Sequence, residues 1–169
     1  NQPYLLYDGR FYKVVEQIAP TAFNECDMSD VIMQYDHEGR VFARNKNGTL
    51  ILAADAIRLK ITAKLGGTDI GRQLYQEIKG GYTDKMSFGF VVAEDERVST
   101  VDHENEVETV TRTITKIKKL YDVSAVSIPA NDMTSISARR YADGVIGEIK
   151  AERLERANKI KKAKILLEV

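Results

Sequence analysis

The sequence predicts a mainly β chain, a barrel or strongly curved antiparallel sheet with peripheral helices and a long C-terminal helix. Three observations carry this expectation. Short runs rich in Val, Ile, Thr, Tyr and Phe recur between turn signals from Arg10 to Ile128, the pattern of a many-stranded fold. A single internal segment, Thr68 to Lys79, switches to helical spacing. From Ala142 to Leu167 there is no proline, and Gly144 and Gly147 confine the weak points to the start of that segment. At 169 residues and 43% apolar, the chain is long enough for one ordinary core. The expected division is a barrel domain over 1–141 and a basic amphipathic helix over 142–169.

Arg10 to Ile18 mixes aromatic and β-branched residues with charges, which suits a half-exposed strand. Pro20 to Asn24 reads as a turn. Asp30 to Tyr35 is a second strand, ended by Glu38-Gly39, so that His37 falls at a strand end. Arg40 to Asn45 and Thr49 to Ala53 are expected as a hairpin through Lys46-Asn47-Gly48, because Asn-Gly is a strong hairpin signal. Arg58 to Leu65 alternates, with Leu59, Ile61, Ala63 and Leu65 on one face. In the helical segment Ile70, Leu74 and Ile78 recur every four residues, Thr68 is the N-cap candidate and Gly80-Gly81 the stop. Lys85 to Val92 is the next strand. The acidic stretch Glu94 to Glu106 reads as an exposed connection or hairpin tip, after which Val107 to Lys119 returns as a long paired strand. Val123 to Ile128 and Ser135 to Arg139 are expected as shorter strands around Pro129. In the last helix Ile146, Ile149, Leu154, Ala157, Ile160, Ala163 and Leu167 form an imperfect apolar stripe beside an excess of Lys and Arg. The basic face reads as solvated surface rather than as a dedicated partner or nucleic-acid site. A stripe this long exceeds what a small barrel covers, so that part of the helix is expected to contact another copy or a scaffold helix.

Composition excludes several classes. Acidic and basic residues balance at 25 each, so no global field favours nucleic acid or a membrane surface. Cys26 is the single cysteine, which rules out an internal disulfide and a cysteine-based zinc site and suits a reducing compartment; it reads as an inert thiol. No apolar run reaches membrane-spanning length and no signal-peptide pattern opens the chain, so a soluble, unexported protein is expected. The first residue is Asn1, as in a trimmed or processed product. The Gly-x-Ser-x-Gly elbow, the His-Glu-x-x-His zinc helix and the P-loop are all missing. Neither a metal nor a cofactor is expected.

Chemistry concentrates at Lys85-Met86-Ser87-Phe88-Gly89-Phe90, which leaves a Gly-Gly turn and runs into Val91 and Val92. Bulky apolar residues flank a serine, and Gly89 lacks the Cβ that would keep a neighbour from the backbone. By itself this is also how an ordinary, satisfied strand serine reads, because a nucleophile is recognised by its partners.

Met86-Ser87-Phe88-Gly89-Phe90 resembles the signature of the prohead proteases of tailed phages, the serine endopeptidases that mature the procapsid. Pro20-Thr21-Ala22-Phe23 is similar to that family's Pro-Gly-Ala-Phe segment, and Asp36-His37-Glu38 lies where it carries Asn-His-Asp. Downstream, Tyr121-Asp122-Val123-Ser124-Ala125-Val126-Ser127-Ile128-Pro129-Ala130 is similar to its Glu-Val-Ser-Pro-Val-Thr-Phe-Pro-Ala segment, followed by Thr134-Ser135 and Arg139. The resemblance runs from about Phe11 to Arg140. It implies a barrel like that of herpesvirus assemblins and a serine endopeptidase inside the assembling procapsid, in the cytoplasm of a bacterial host. Its implied partner is the major capsid protein, whose scaffolding segment it removes, and it also cleaves itself.

Carried over residue by residue, the resemblance makes Ser87 the nucleophile, His37 the base and Asp122 the third member of a triad. A serine hydroxyl needs a base as it attacks, and imidazole titrates near working pH. Asp122 stands where the family has Glu, one methylene longer. Asp36 and Glu38 are the alternatives for orienting the ring. His103, in an acidic polar stretch, reads as a solvated loop residue. Ala130 and Asn131, after Pro129, are the expected oxyanion hole, with Arg139 or Arg140 nearby. The competing readings are a non-catalytic or latent capsid-assembly scaffold module, favoured by the shortened acid and the basic helix, and a serine hydrolase unconnected with phage.

Overall fold

The computed structural model describes residues 3–55, 58–102, 104, 106–127 and 136–167, with side chains of the last helix described from 144 to 162. The strands are β1 (Tyr4–Asp8), β2 (Tyr12–Ile18), β3 (Ile32–Tyr35), β4 (Glu38–Arg44), β5 (Leu50–Ala54), β6 (Leu59–Ala63), β7 (Lys85–Asp102) and β8 (Val107–Val126). The helices are α1 (Asp69–Lys79) and α2 (Ile136–Leu167). By contacts the chain divides into two compact units, Asn1–Thr134 and Ser135–Val169.

β8 is the spine of the first unit. One of its edges carries β7 antiparallel along nearly its whole length. Its other edge carries β2 in parallel from Glu108 to Ile114, then a bridge from Asp27 to Lys119, then β3 in parallel from Asp122 to Ala125. β1 extends the sheet beyond β2 and β4 extends it beyond β3, both antiparallel. Among the described residues, then, the six-stranded sheet is mixed and ends at open edges, and β5 and β6 form a separate two-stranded sheet. The mainly β character and the long C-terminal helix hold. Of the two expected forms, a strongly curved sheet holds and a closed barrel does not, because among the described residues β1, β4 and β7 end the sheet unpaired on their outer edges. The sheet is also mixed rather than antiparallel, since β2 and β3 both run parallel to β8.

The core forms on one face of this sheet. Val31, Met33, Ala43, Leu50, Leu120, Val123 and Ala125 are buried together with Leu65 and with Leu74 of α1, and a satellite cluster packs Ala22, Ile114 and Ile117 against Phe23, Phe90 and Val92. Each fully buried aliphatic side chain stabilises the fold by about 1.5–3 kcal/mol relative to exposure. Leu120 and Val123, three residues apart, would point to opposite faces of a regular strand. Both are fully buried in one cluster because the register slips there: Gly89 opposes Asp122 while Phe90 opposes Leu120, leaving Tyr121 as the extra residue of a bulge.

Several expected elements are corrected. The turn after β3 is Asp36-His37, not Glu38-Gly39, and both turn residues have positive φ, 50° and 61°, as a two-residue type I′ hairpin requires. β4 and β5 do not form a hairpin. Asn45 diverts the chain: its amide accepts from Val31 N at 2.9 Å and donates to Met28 O at 2.5 Å, binding the end of β4 to the 28–31 loop, and a 3-10 turn over Asn45–Asn47 follows. The acidic stretch after Val92 is strand to Asp102, held by pairing with β8 along Val107–Lys116. The expected strand over 123–128 is the end of β8. The expected strand over 135–139 is helical from Ile136, where Ala138 and the arginines after it suit a helix. β1 was not expected at all. α1 matches its expectation, with Thr68 Oγ1 accepting from Gly71 N at 3.1 Å as the N-cap.

Candidate active site

β7 and β8 set the site through their register. Ser87 lies opposite Ser124, and Gly89 lies opposite Asp122. Directly paired residues of an antiparallel ladder share a face, so Ser87, Ser124 and Asp122 are on one face, while Phe88 opposes Val123 and packs towards the core. On the other edge of β8, Ile32 opposes Asp122 and Tyr35 opposes Ala125, which delivers the Asp36-His37 turn to the same end of the sheet.

The turn is clamped in place. Asp36 accepts from Ser127 N at 2.8 Å and from Ser127 Oγ at 2.9 Å, and Tyr35 Oη is 2.7 Å from the same Ser127 Oγ. Asp36 is therefore committed to β8's end rather than to the imidazole. His37 Nδ1 lies 2.7 Å from Asp122 Oδ1, with both side chains largely shielded, at 18% and 13% exposure. With Nδ1–H donating to the carboxylate, Nε2 is the basic nitrogen of the ring. The Asp122 hydrogen bond pushes the His37 imidazole up from its ordinary range, against the opposing effect of burial, and the charges of Asp122 and then Asp36 add to the rise.

Two further residues fix Asp122. Ser124 Oγ, fully buried, donates to Asp122 Oδ1 at 2.7 Å. Gly89 makes the room: a Cβ there would meet Asp122 Oδ2 at 2.1 Å, inside any tolerable contact. The space anticipated at Gly89 is thus filled by the carboxylate of the opposing strand. Nothing in the sequence ties Ser124 or Gly89 to Asp122 until the β7–β8 register is known.

The structure brings His37 and Asp122 together and places Ser87 one register step away on the same face, but His37 and Ser87 are not hydrogen-bonded to each other. The Phe23 and Phe88 rings pack tilted with centroids 5.8 Å apart, and Phe88 and Phe90 likewise at 5.2 Å, so the Pro20 to Phe23 segment braces the serine strand from the core side. Burial pushes the Cys26 thiol up, away from thiolate character. Among the described residues, no group of three or more His, Cys, Asp or Glu side chains converges as a metal site requires. Ala130, Asn131 and His103 lie outside the described residues, as do the side chains of Arg139 and Arg140.

A mainly β fold that holds a histidine–carboxylate pair beside a strand serine has the side-chain types that serine hydrolases use. More particularly, the chain belongs to the caudovirus prohead serine protease family, whose model matches residues 6–146. Membership makes it a serine protease of capsid maturation with a capsid protein as substrate. No curated protein and no solved structure matches it significantly. No helix among the described residues is long and apolar enough to cross a membrane.

Proposed function

We propose that the chain is a serine endopeptidase that removes the scaffolding segment of the major capsid protein and cleaves itself, with Ser87, His37 and Asp122 as its triad. The observation that carries this reading is the shielded 2.7 Å contact between His37 Nδ1 and Asp122 Oδ1 on the face that bears Ser87. His37 Nε2 takes the Ser87 Oγ proton as Oγ bonds to the scissile carbonyl carbon. The imidazolium formed is stabilised by Asp122. It gives its proton to the leaving amine as the C–N bond breaks, and water then hydrolyses the acyl-enzyme by the same route. Backbone N–H groups near Ala130 and Asn131 are the proposed oxyanion donors, since charge develops on that oxygen. Asp in place of Glu fits here because the Gly89 gap lets the shorter acid lie against β7 while reaching the ring. The site of action is the procapsid within the host cytoplasm.

A latent form is the second reading, favoured by one observation: Ser87 and His37 make no hydrogen bond, so the attack geometry awaits substrate or assembly. Catalytic hydrogen bonds do often tighten only in the substrate complex. Labelling with a fluorophosphonate tests both. The proposal expects a single adduct on Ser87, lost in His37→Ala; an adduct on another serine overturns the assignment, and labelling only within assembled procapsids establishes latency.

A further inference from the structure

Ser87 also lines a groove of about 350 Å³, at the lower end of the range for ligand sites. Its lining joins the segment from Ile18 to Phe23 with Leu59 and Ile61 of β6 and with Met86, Ser87 and Phe88 of β7. Met86, Ser87 and Phe88 are consecutive, and consecutive strand residues point to alternate faces. A cavity touching all three meets the strand along its edge. That edge is open: β7 pairs with β8 and with no other described strand. An open edge carries a row of unpaired N–H and C=O groups, which an extended peptide can adopt as its own ladder while alternate side chains fill pockets.

The lining selects the side chain. Its two charged members, Asp55 and Arg58, are joined to each other, with Arg58 N donating to Asp55 Oδ1 at 2.9 Å and Arg58 Nε 3.8 Å from Asp55 Oδ2. Apart from that exposed pair the lining carries no charged side chain, so its aliphatic and aromatic part offers no countercharge to a buried Lys, Arg, Asp or Glu, and burying an unpaired charge is costly.

We infer that the substrate binds as an added strand on the open edge of β7 and places a bulky apolar side chain, within two residues of the scissile bond, in the groove walled by Phe23, Leu59, Ile61 and Phe88. This rests on the serine-protease reading above and adds the substrate class. Ala19, half-buried in the same lining, is the position from which a larger side chain would fill the groove.

The test separates binding from chemistry. The Ser87→Ala chain is titrated with fluorescent, blocked Thr/Ala hexapeptides carrying one Leu, Phe, Gly, Lys or Glu at the varied position, and amide hydrogen exchange is followed over residues 85–92. The Leu and Phe peptides should bind at least tenfold more tightly than the Gly, Lys and Glu peptides and slow exchange in β7. Ala19→Phe in the same background should remove that preference, with an unchanged unfolding midpoint confirming that the fold is kept. Equal binding of all five peptides, or a preference that survives Ala19→Phe, overturns the inference. Cleavage of the same peptides by the wild-type chain is scored separately: binding with the expected preference but no turnover and no Ser87 labelling would remove the protease reading and leave the groove as a peptide site.

Discussion

Asp122 sits at the intersection of three side chains, and the consequences can be tested one residue at a time. Asp122→Asn removes the charge that raises the His37 pKa and donates a competing N–H, so the imidazole should titrate lower and kcat should fall by about 10³–10⁴-fold. The sign of the pH effect follows from the raised pKa. The base must be neutral to act, so activity in the wild type rises with pH through a value raised from that of an ordinary histidine by the Asp122 hydrogen bond, and in Asp122→Asn that rise moves to lower pH; NMR titration of His37 beside a pH–rate profile checks both. Stability runs the other way. The His37–Asp122 contribution is fully present below the unfolded histidine pKa, about 6.5, and is lost as pH rises through the raised folded value. Gly89→Ala reaches the same carboxylate from the opposite strand: a Cβ 2.1 Å from Asp122 Oδ2 must displace it, so this variant should resemble Asp122→Asn in its His37 titration while retaining its circular dichroism. Ser87, His37 and Asp122, the proposed triad, were singled out in the sequence by short segments that resemble the family's. Ser124 and the occupant of the Gly89 gap were not, because both depend on which residues face each other across β7 and β8, a long-range register that no local window contains.

At the scale of elements, α1 offers a sign reversal. Ala is a better helix former than Gly by about 1 kcal/mol, yet Gly71 lies where a Cβ would come 2.1 Å from Leu65 O, a backbone atom that cannot step aside. Gly71→Ala should therefore lower the denaturant midpoint, whereas Thr68→Ala, losing the N-cap, should cost about 1 kcal/mol. The same element was read correctly from sequence because its period, cap and stop are all local. The β3–β4 turn shows the opposite case. Gly39 drew the expected turn two residues too far along, since glycine usually marks such sites, but Asp36 and His37 take the left-handed conformation instead, anchored by Ser127 from a strand about ninety residues away. Asn-Gly at 47–48 misled for a related reason: Asn45 spends its side chain on the 28–31 loop, and β5 turns to β6. Strand patterning gave the rough position of most strands but not their number, while partner choice came from contacts between distant segments.

For the whole molecule, a largely buried polar row ties β1, β2, β8 and β7 together. Tyr4, Glu16 and Arg112 are register partners across β1, β2 and β8, and Arg97 of β7 completes the row. Tyr4 Oη donates to Glu16, Arg112 Nη1 is 2.5 Å from Glu16 Oε2, and Arg112 Nε donates to Asp95 at 2.9 Å. Glu16 and Arg112 are both essentially inaccessible. Arg112→Met should cost about 3–5 kcal/mol by stranding the Glu16 charge, a large share of a typical folding free energy, and the double substitution Glu16→Leu with Arg112→Met should recover part of it, read from urea midpoints. The same central strand thus carries Arg112 of the polar row and, further along, Asp122 with Ser124. If Ser87 is the nucleophile proposed above, its hydroxyl is required for shortening of the capsid protein. Co-expression of the chain with the major capsid protein, read by intact-mass spectrometry, tests it most directly: the wild type should shorten the capsid protein at its scaffolding segment, Ser87→Ala should leave it full length, and cleavage by Ser87→Ala at the wild-type position would contradict the account.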